Sequence, residues 1–502
     1  MVATETTDDA YEALLDRYGK IASLESAAGV LGWDQQTKMP EGGAPARGQQ
    51  LAALSGVTHD LLTDDRFGEL LSTLERADLD RDREAVVREL SFRHERAVEV
   101  PETLVEEITE TSSDAQQIWQ NAKAEDDYDA FAPTLETLRD LHVDRAEHID
   151  SDKNPYVVIH EGAERDLPLD LVEEIFGTLR DELVPLIDDI KRSETELPAP
   201  FEEYGPYDPD DQEALSRDVL DLLNYDWERG RLDTSPHPFT SGNQFDCRIT
   251  TRFRPDDFLG SLTATIHEFG HATYQLGLPQ EAFGTPLGES RSSGIHESQS
   301  RFWENHVGRT REFWELFLPT VKDRFPELEG VTVEEAYAAA NRIYPDNTIR
   351  VEADELTYHM HIILRYEIGR AFVEGEIGVE EIPDLWNEKM GEYLGIVPET
   401  DAEGCLQDIH WTSRFAAFQG YTLGSVLAAQ LDAAMREEID DVDEKIRSGE
   451  FEPMLEWMRE NVHRHGQRYR ADELIERATG EPLTAEYFVE YAKAKFTDLY
   501  DL

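Results

Sequence analysis

Apolar residues spaced three and four apart recur along almost the whole chain, and one stretch alone abandons that spacing. Tyr11, Leu14, Leu15, Tyr18, Ile21 and Leu24 form the first stripe, and similar ones run through 45–63, 83–110 and 129–150. Such a chain buries one face of each successive helix, so the predicted class is mainly α. Thr7 or Asp8 is placed to cap the first helix. The exception is 237–253 (HPFTSGNQFDCRITTRF), where β-branched and aromatic residues surround the turn signal Ser241-Gly242-Asn243. A small hairpin is expected there. Helical spacing resumes from about 255. The segment 195–211, rich in proline, glycine and acid, reads as a linker or long loop. No internal repeat is visible. The expected organisation is one domain over 1–502, with a helical N-terminal region to about 195 and a motif-bearing region over about 230–425.

Charge narrows the partners. The chain carries 108 Asp and Glu against 47 Lys and Arg, a net −61. The acid runs the whole length, interleaved with the apolar stripes rather than gathered in a tail. Such a field repels nucleic acid and anionic lipid, so neither is an expected partner. One reading is an acidic chaperone or cation buffer. The favoured one is a globular protein adapted to molar salt, which screens charge over about 3 Å. No apolar run is long enough to span a membrane, and residues 1–30 lack a secretory signal pattern. Cys247 and Cys405 cannot build a disulfide framework, which fits a reduced compartment. A cytoplasmic location is expected.

The residues with chemistry begin at His267-Glu268-Phe269-Gly270-His271, an HExxH. Asp256 and Asp257 can cap a helix that Leu259, Leu262, Ile266 and Phe269 continue, and Gly277 with Pro279 ends it. Positions four apart share a helix face, so His267 and His271 can offer imidazoles to one metal ion. Glu268, beside them, can accept a proton from activated water. The ordinary alternative is a surface histidine pair with an acidic neighbour. A metzincin would need Gly at 274 and His at 277, but Tyr274 and Gly277 stand there. The third ligand must come from downstream, and Gly294-Ile295-His296-Glu297-Ser298-Gln299-Ser300 offers candidates. Adjacent helical residues point about 100° apart, so one of His296 and Glu297 can ligate. Glu297 is favoured, and His296 competes. The resulting chemistry is peptide-bond hydrolysis, with the mode of cleavage left open.

Six motifs together resemble the Taq-type metallocarboxypeptidases. They are His237-Pro238-Phe239, Asp246-Cys247-Arg248-Ile249-Thr250, the HExxH, His296-Glu297-Ser298 with Gln299, Ile349-Arg350-Val351-Glu352-Ala353-Asp354, and Gly404 to Trp411 (GCLQDIHW). They occur in that family's order, and Gly32-Trp33-Asp34 extends the likeness towards the N-terminus. The resemblance implies a helical fold with a deep central groove, related to neurolysin-type oligopeptidases, and a small sheet near the active site. It implies removal of single C-terminal residues with broad specificity, proline being disfavoured. It implies a zinc site of His267, His271 and Glu297 in which cobalt can substitute, and a homodimer.

Reading a free carboxylate suits arginine, which stays charged and binds bidentately. The resemblance assigns this to Arg350, although an i,i+4 pair with Asp354 is the local alternative. Arg248, with Asp246 nearby, is a second candidate, and His237 joins them on the substrate side. His410 and Tyr421 are candidates for stabilising an oxyanion. Phe415-Ala416-Ala417-Phe418-Gln419-Gly420-Tyr421-Thr422-Leu423-Gly424 departs from the family's usual FGYFPTYxLG: Ala417 replaces a tyrosine, while Tyr421 remains. His359 and His361, two apart, cannot both face a groove, and His306, His463 and His465 read as background. Two rivals remain: an oligoendopeptidase of related fold, and a non-catalytic acidic protein that binds metal.

Overall fold

The structure, a computed structural model, describes residues 6–502. It is built from helices around one small sheet. Five helices matter most here: α1 (Thr7–Thr37), α2 (Phe258–Gly277), α3 (Ser293–Arg301), α4 (Thr357–Val373) and α5 (Gln419–Glu438). Three strands, β1 (Gly230–Thr234), β2 (Thr240–Gly242) and β3 (Cys247–Thr251), lie in the order β1-β3-β2. β2 and β3 form the expected antiparallel hairpin, and β1, which has no clear strand pattern, adds in parallel to β3. Asn243 ties the connecting turn, its side-chain oxygen accepting from Phe245 N–H at 2.9 Å. β2 is thereby left at an edge, against α1 and α2.

Local chemistry explains where the helices begin and break. α1 is capped by Thr6, not by Thr7 or Asp8. Thr6 Oγ1 accepts from Asp9 N–H at 3.2 Å and Asp9 returns the bond to Thr6 N–H, a capping box. Thr6 has an acid three residues on that is placed to reciprocate. The single stripe read over 83–110 is two helices, Arg81–Val98 and Glu102–Glu125. Pro101 lies between them, with no N–H to donate and a ring that disfavours helix before it. The segment 195–211 is neither a linker nor all loop: it holds the short helix Pro200–Glu203 and the start of Pro209–Leu222, and Phe201 and Tyr207 pack edge-on against Phe258 at 4.9 and 4.8 Å.

The main core runs through buried residues from Ala115 to Tyr500. A second core, from Ala10 to Leu90, holds α1 against the helices Asp65–Leu74 and Arg81–Val98. α1 is therefore supported from behind by its own cluster and presents its other face to β2. Among the described residues no helix is long and apolar enough to cross a membrane.

Candidate metal centre and substrate-reading residues

α2 starts where Asp257 accepts from Gly260 N–H at 2.7 Å. Its apolar side, Phe258, Leu262, Ile266 and Phe269, is buried in the main core, which fixes its rotation. His267 and His271 then share another face. Gly270 lets α3 approach: a Cβ there would meet Gln299 O at 2.4 Å. α5 crosses as closely, since a Cβ on Gly424 would lie 2.5 Å from Glu297 Cβ. Two missing side chains thus bring three helices together at Glu297.

His271 Nε2 lies 3.6 Å and His267 Nε2 4.0 Å from Glu297 Oε2. The candidate ligand atoms of the three residues all fall within 4.8 Å of one another. Each imidazole is anchored through its other nitrogen, His267 Nδ1 to Glu304 Oε2 at 2.8 Å and His271 Nδ1 to the backbone oxygen of His296 at 3.1 Å. Those bonds leave both Nε2 atoms free to ligate. The second oxygen of Glu297 accepts from Arg301 Nε at 2.8 Å, and Arg301 and Arg309 both donate to Glu304. Two neutral nitrogens and one carboxylate oxygen, converging with their outer partners in place, are a donor set that fits a divalent metal ion. His296 does not join them. Its ring stacks on His271 at 4.4 Å and its Nε2 sits 3.1 Å from Gln275.

Glu268 is 5 % exposed, and Thr240 of β2 donates to its Oε2 at 2.7 Å. Burial pushes its carboxyl up to about 7, against the pull of His267 and of that hydrogen bond. β2 therefore fixes the orientation of the one acid on α2 that faces the ligand cluster without belonging to it.

A second cluster gathers around Asp408. Arg350, on a short 3-10 turn, reaches Asp408 Oδ1 at 3.5 Å, His410 Nδ1 binds the same oxygen at 2.7 Å, and Arg365 Nε donates to the other at 3.1 Å. Burial alone would raise the Asp408 carboxyl, but these three partners hold it well below the usual range. The local pairing of Arg350 with Asp354 does not form. Asp354 instead accepts from Tyr344, Leu356 and Thr357 N–H groups at 2.8–2.9 Å. Tyr421, half-buried, lies within electrostatic reach of Glu297 and Arg350, and its hydroxyl accepts from Arg414 at 3.2 Å. His237 is exposed and within similar reach of His410. The segment before Tyr421 places Ala416 at φ 50°, a left-handed conformation costly for alanine, at the position where the Taq-type pattern has glycine.

Arg248 is not brought to that cluster. Its guanidinium is paired with Asp246 at 2.9 and 2.6 Å and lies 4.3 Å from the ring centre of Trp33. His359 and His361 are both buried, His359 against Thr422 Oγ1 at 3.1 Å. His463 is buried against Gln299, and His306 lies 3.6 Å from Asp432. Glu304, Arg301, Thr240 and Arg365 were not singled out by the sequence. Arg301 is legible as the i,i+4 partner of Glu297, whereas Glu304 sits on a π-helical turn, Phe302–Gly308, that disrupts helical spacing.

A helical fold carrying an HExxH helix and a glutamate on the next helix defines the class of this protein as a metallopeptidase. The chain belongs to the carboxypeptidase Taq (M32) metallopeptidase family, whose model matches residues 13–496. It is 37% identical to thermostable carboxypeptidase 1 of Thermus thermophilus, over 99% of this chain and 100% of that one. The crystal structure of the M32 carboxypeptidase from Deinococcus radiodurans R1 superposes with a TM-score of 0.94 at 35% identity, covering 98% of this chain and 100% of the other. A Pyrococcus furiosus carboxypeptidase structure gives 0.94 at 37% identity, covering 97% and 99%. The protein is accordingly a metallocarboxypeptidase.

Proposed function

We propose that the chain removes single residues from peptides with a free C-terminus, using zinc held by His267, His271 and Glu297, with cobalt able to substitute. The single observation that carries this reading is the position of Glu268, buried beside the three converging donors and hydrogen-bonded from β2. A bound divalent ion supplies Lewis acidity and a more acidic water. Glu268 accepts a proton from the water that adds to the scissile carbonyl carbon, and returns it to the amine nitrogen as the C–N bond breaks. Arg350 meets the substrate carboxylate while Asp408, itself held by Arg365 and His410, keeps its guanidinium in place. His410, its Nδ1 committed to Asp408, has Nε2 left to donate to substrate, and the Tyr421 hydroxyl is a phenolic donor within electrostatic reach of Glu297 and Arg350. His237 lies at the exposed margin. Arg248 serves to hold Trp33 and Asp246 rather than to read the carboxylate. Broad specificity with proline disfavoured, a homodimer, a cytoplasmic setting and a single catalytic unit complete the reading.

Amino-acid release from a peptide and its C-terminal amide tests it. Release from the free acid alone is the expected outcome. Internal fragments from both would make the protein an oligoendopeptidase. Bound metal without turnover would make it a binding protein.

The net −61 supports adaptation to molar salt. Self-repulsion grows as screening is withdrawn. The melting temperature should fall on transfer from molar to millimolar KCl, and an unchanged value would remove this part of the proposal.

A further inference from the structure

Between α1 and the β2–β3 turn lies a cavity of about 380 Å³. Two of its lining residues connect it to the chemistry. Ser241 follows Thr240, whose hydroxyl holds Glu268, and Gln275 lies one turn along α2 from His271. Neither Arg350 nor Asp408 nor His410 lines it. If the free carboxylate sits at Arg350, the peptide upstream of the scissile bond leads away from Arg350, and this cavity, bordered by β2 and α2, is open to receive it. The inference rests on that reading of the site.

The cavity's charges are unequal. Glu289 is answered by Arg93 and Tyr18, and Asp246 by both arms of Arg248. Glu25, on the cavity face of α1, has no hydrogen bond or ion pair among the described residues, and the charges of both Glu289 and Arg93 act on it. Three carboxylates, Glu25, Glu289 and Asp246, thus stand against the two guanidiniums of Arg93 and Arg248, and the carboxylate left over favours a cation in the cavity. The rim is apolar. Val30 and Phe283 line the cavity and are 43 % and 42 % exposed. Phe245, 48 % exposed, meets Phe283 edge-on at 5.4 Å. An exposed apolar patch marks a contact surface, and here it borders the cavity.

We propose that this cavity receives substrate residues N-terminal to the scissile bond, and that Glu25 is a specificity-determining residue selecting a positive charge there. That charge is a lysine or arginine side chain, or the α-ammonium of a short peptide; the aromatic rim covers the apolar part of the same residues. Each source has the same chemistry, an alkylammonium or guanidinium group beside a carboxylate with little competition from other partners.

The test uses the metal-loaded full chain. One series is N-acetylated free-acid oligoalanine peptides with a single Lys at each upstream position in turn. A second has free N-termini and decreasing length. Both are run on wild type, Glu25→Gln and, as a charge control on a distant exposed surface, Glu490→Gln. At one upstream position Lys should raise kcat/KM over Ala by about three- to fivefold, the range of a partly exposed ion pair, and the gain should appear in KM. An equal gain at one length of the unacetylated series would assign the α-ammonium as the group read. The gain should vanish in Glu25→Gln, persist in Glu490→Gln and shrink in molar KCl. A profile flat along the peptide, or one unchanged in Glu25→Gln, overturns the inference while leaving the carboxypeptidase reading intact. No C-terminal release from any peptide overturns both.

Discussion

Glu268→Gln should lower kcat by about 10²–10⁴-fold, the usual share of a positioned general base, while leaving metal content and melting temperature as in the wild type. The separation follows from geometry. Glu268 is not among the three converging donors, so its amide removes nothing that would hold the ion. The Gln carbonyl can still accept from Thr240 Oγ1, so the bond that orients the side chain from β2 survives. What is lost is a carboxylate able to take a proton and give it back. Because burial already pushes the Glu268 carboxyl up to about 7, replacing it with a neutral isostere also removes a charge that burial penalises. The folded state should not suffer. Metal stoichiometry, a melting curve and single-turnover rates on one free-acid peptide check all three. A variant that loses its metal would show that Glu268 supports the ligands rather than the chemistry. A variant within tenfold of wild type would move the base elsewhere.

What was legible in the sequence has a common physical form. His267 with His271, and Glu297 with Arg301, are neighbours on one helix, where spacing alone determines proximity. The β2–β3 hairpin announced itself through its turn residues, and the fold class through helical periodicity. The third ligand could be narrowed to His296 or Glu297, and because neighbours on a helix point apart, only one of the two could ligate. The backing of the site could not be read in this way. Glu304 meets His267 across 37 residues, on a π-helical turn whose register no regular pattern foretells. Arg350 meets Asp408 across 58. For that pair local spacing points elsewhere, to Asp354, whose carboxylate is instead consumed by the N–H groups opening α4 and by Tyr344. Gly270 and Gly424 carry no signal of their own, since what they permit is the approach of other helices. Thr6 shows the same limit at small scale: three polar residues compete to cap α1, and the one with an acid three residues on prevails.

The Asp408 cluster yields the second large effect. Arg350→Met should lower kcat/KM on free-acid peptides by about 10²–10³-fold, the cost of removing one partner from a buried charge-assisted contact. The same change should hardly affect whatever slow turnover the C-terminal amide shows, so the preference for free acid over amide should collapse. The fold should tolerate the substitution, because Asp408 keeps Arg365 at 3.1 Å and His410 at 2.7 Å and is not left unpaired. Arg350→Lys separates charge from shape. It restores a positive charge without the planar fork that can hold both carboxylate oxygens, so its activity on free acids should lie between Met and wild type. The paired measurement is the free-acid to amide ratio of kcat/KM for the three proteins, with melting temperatures alongside. If the ratio survives in Arg350→Met, the carboxylate is read by another group. His410 would then be the residue to change next, since its Nε2 is uncommitted and Asp408 orients it as firmly as it does Arg350. If the ratio falls in both variants and more steeply in Met, the arginine is doing what its buried, doubly supported position suits it for: presenting one fixed positive charge to the end of a peptide chain.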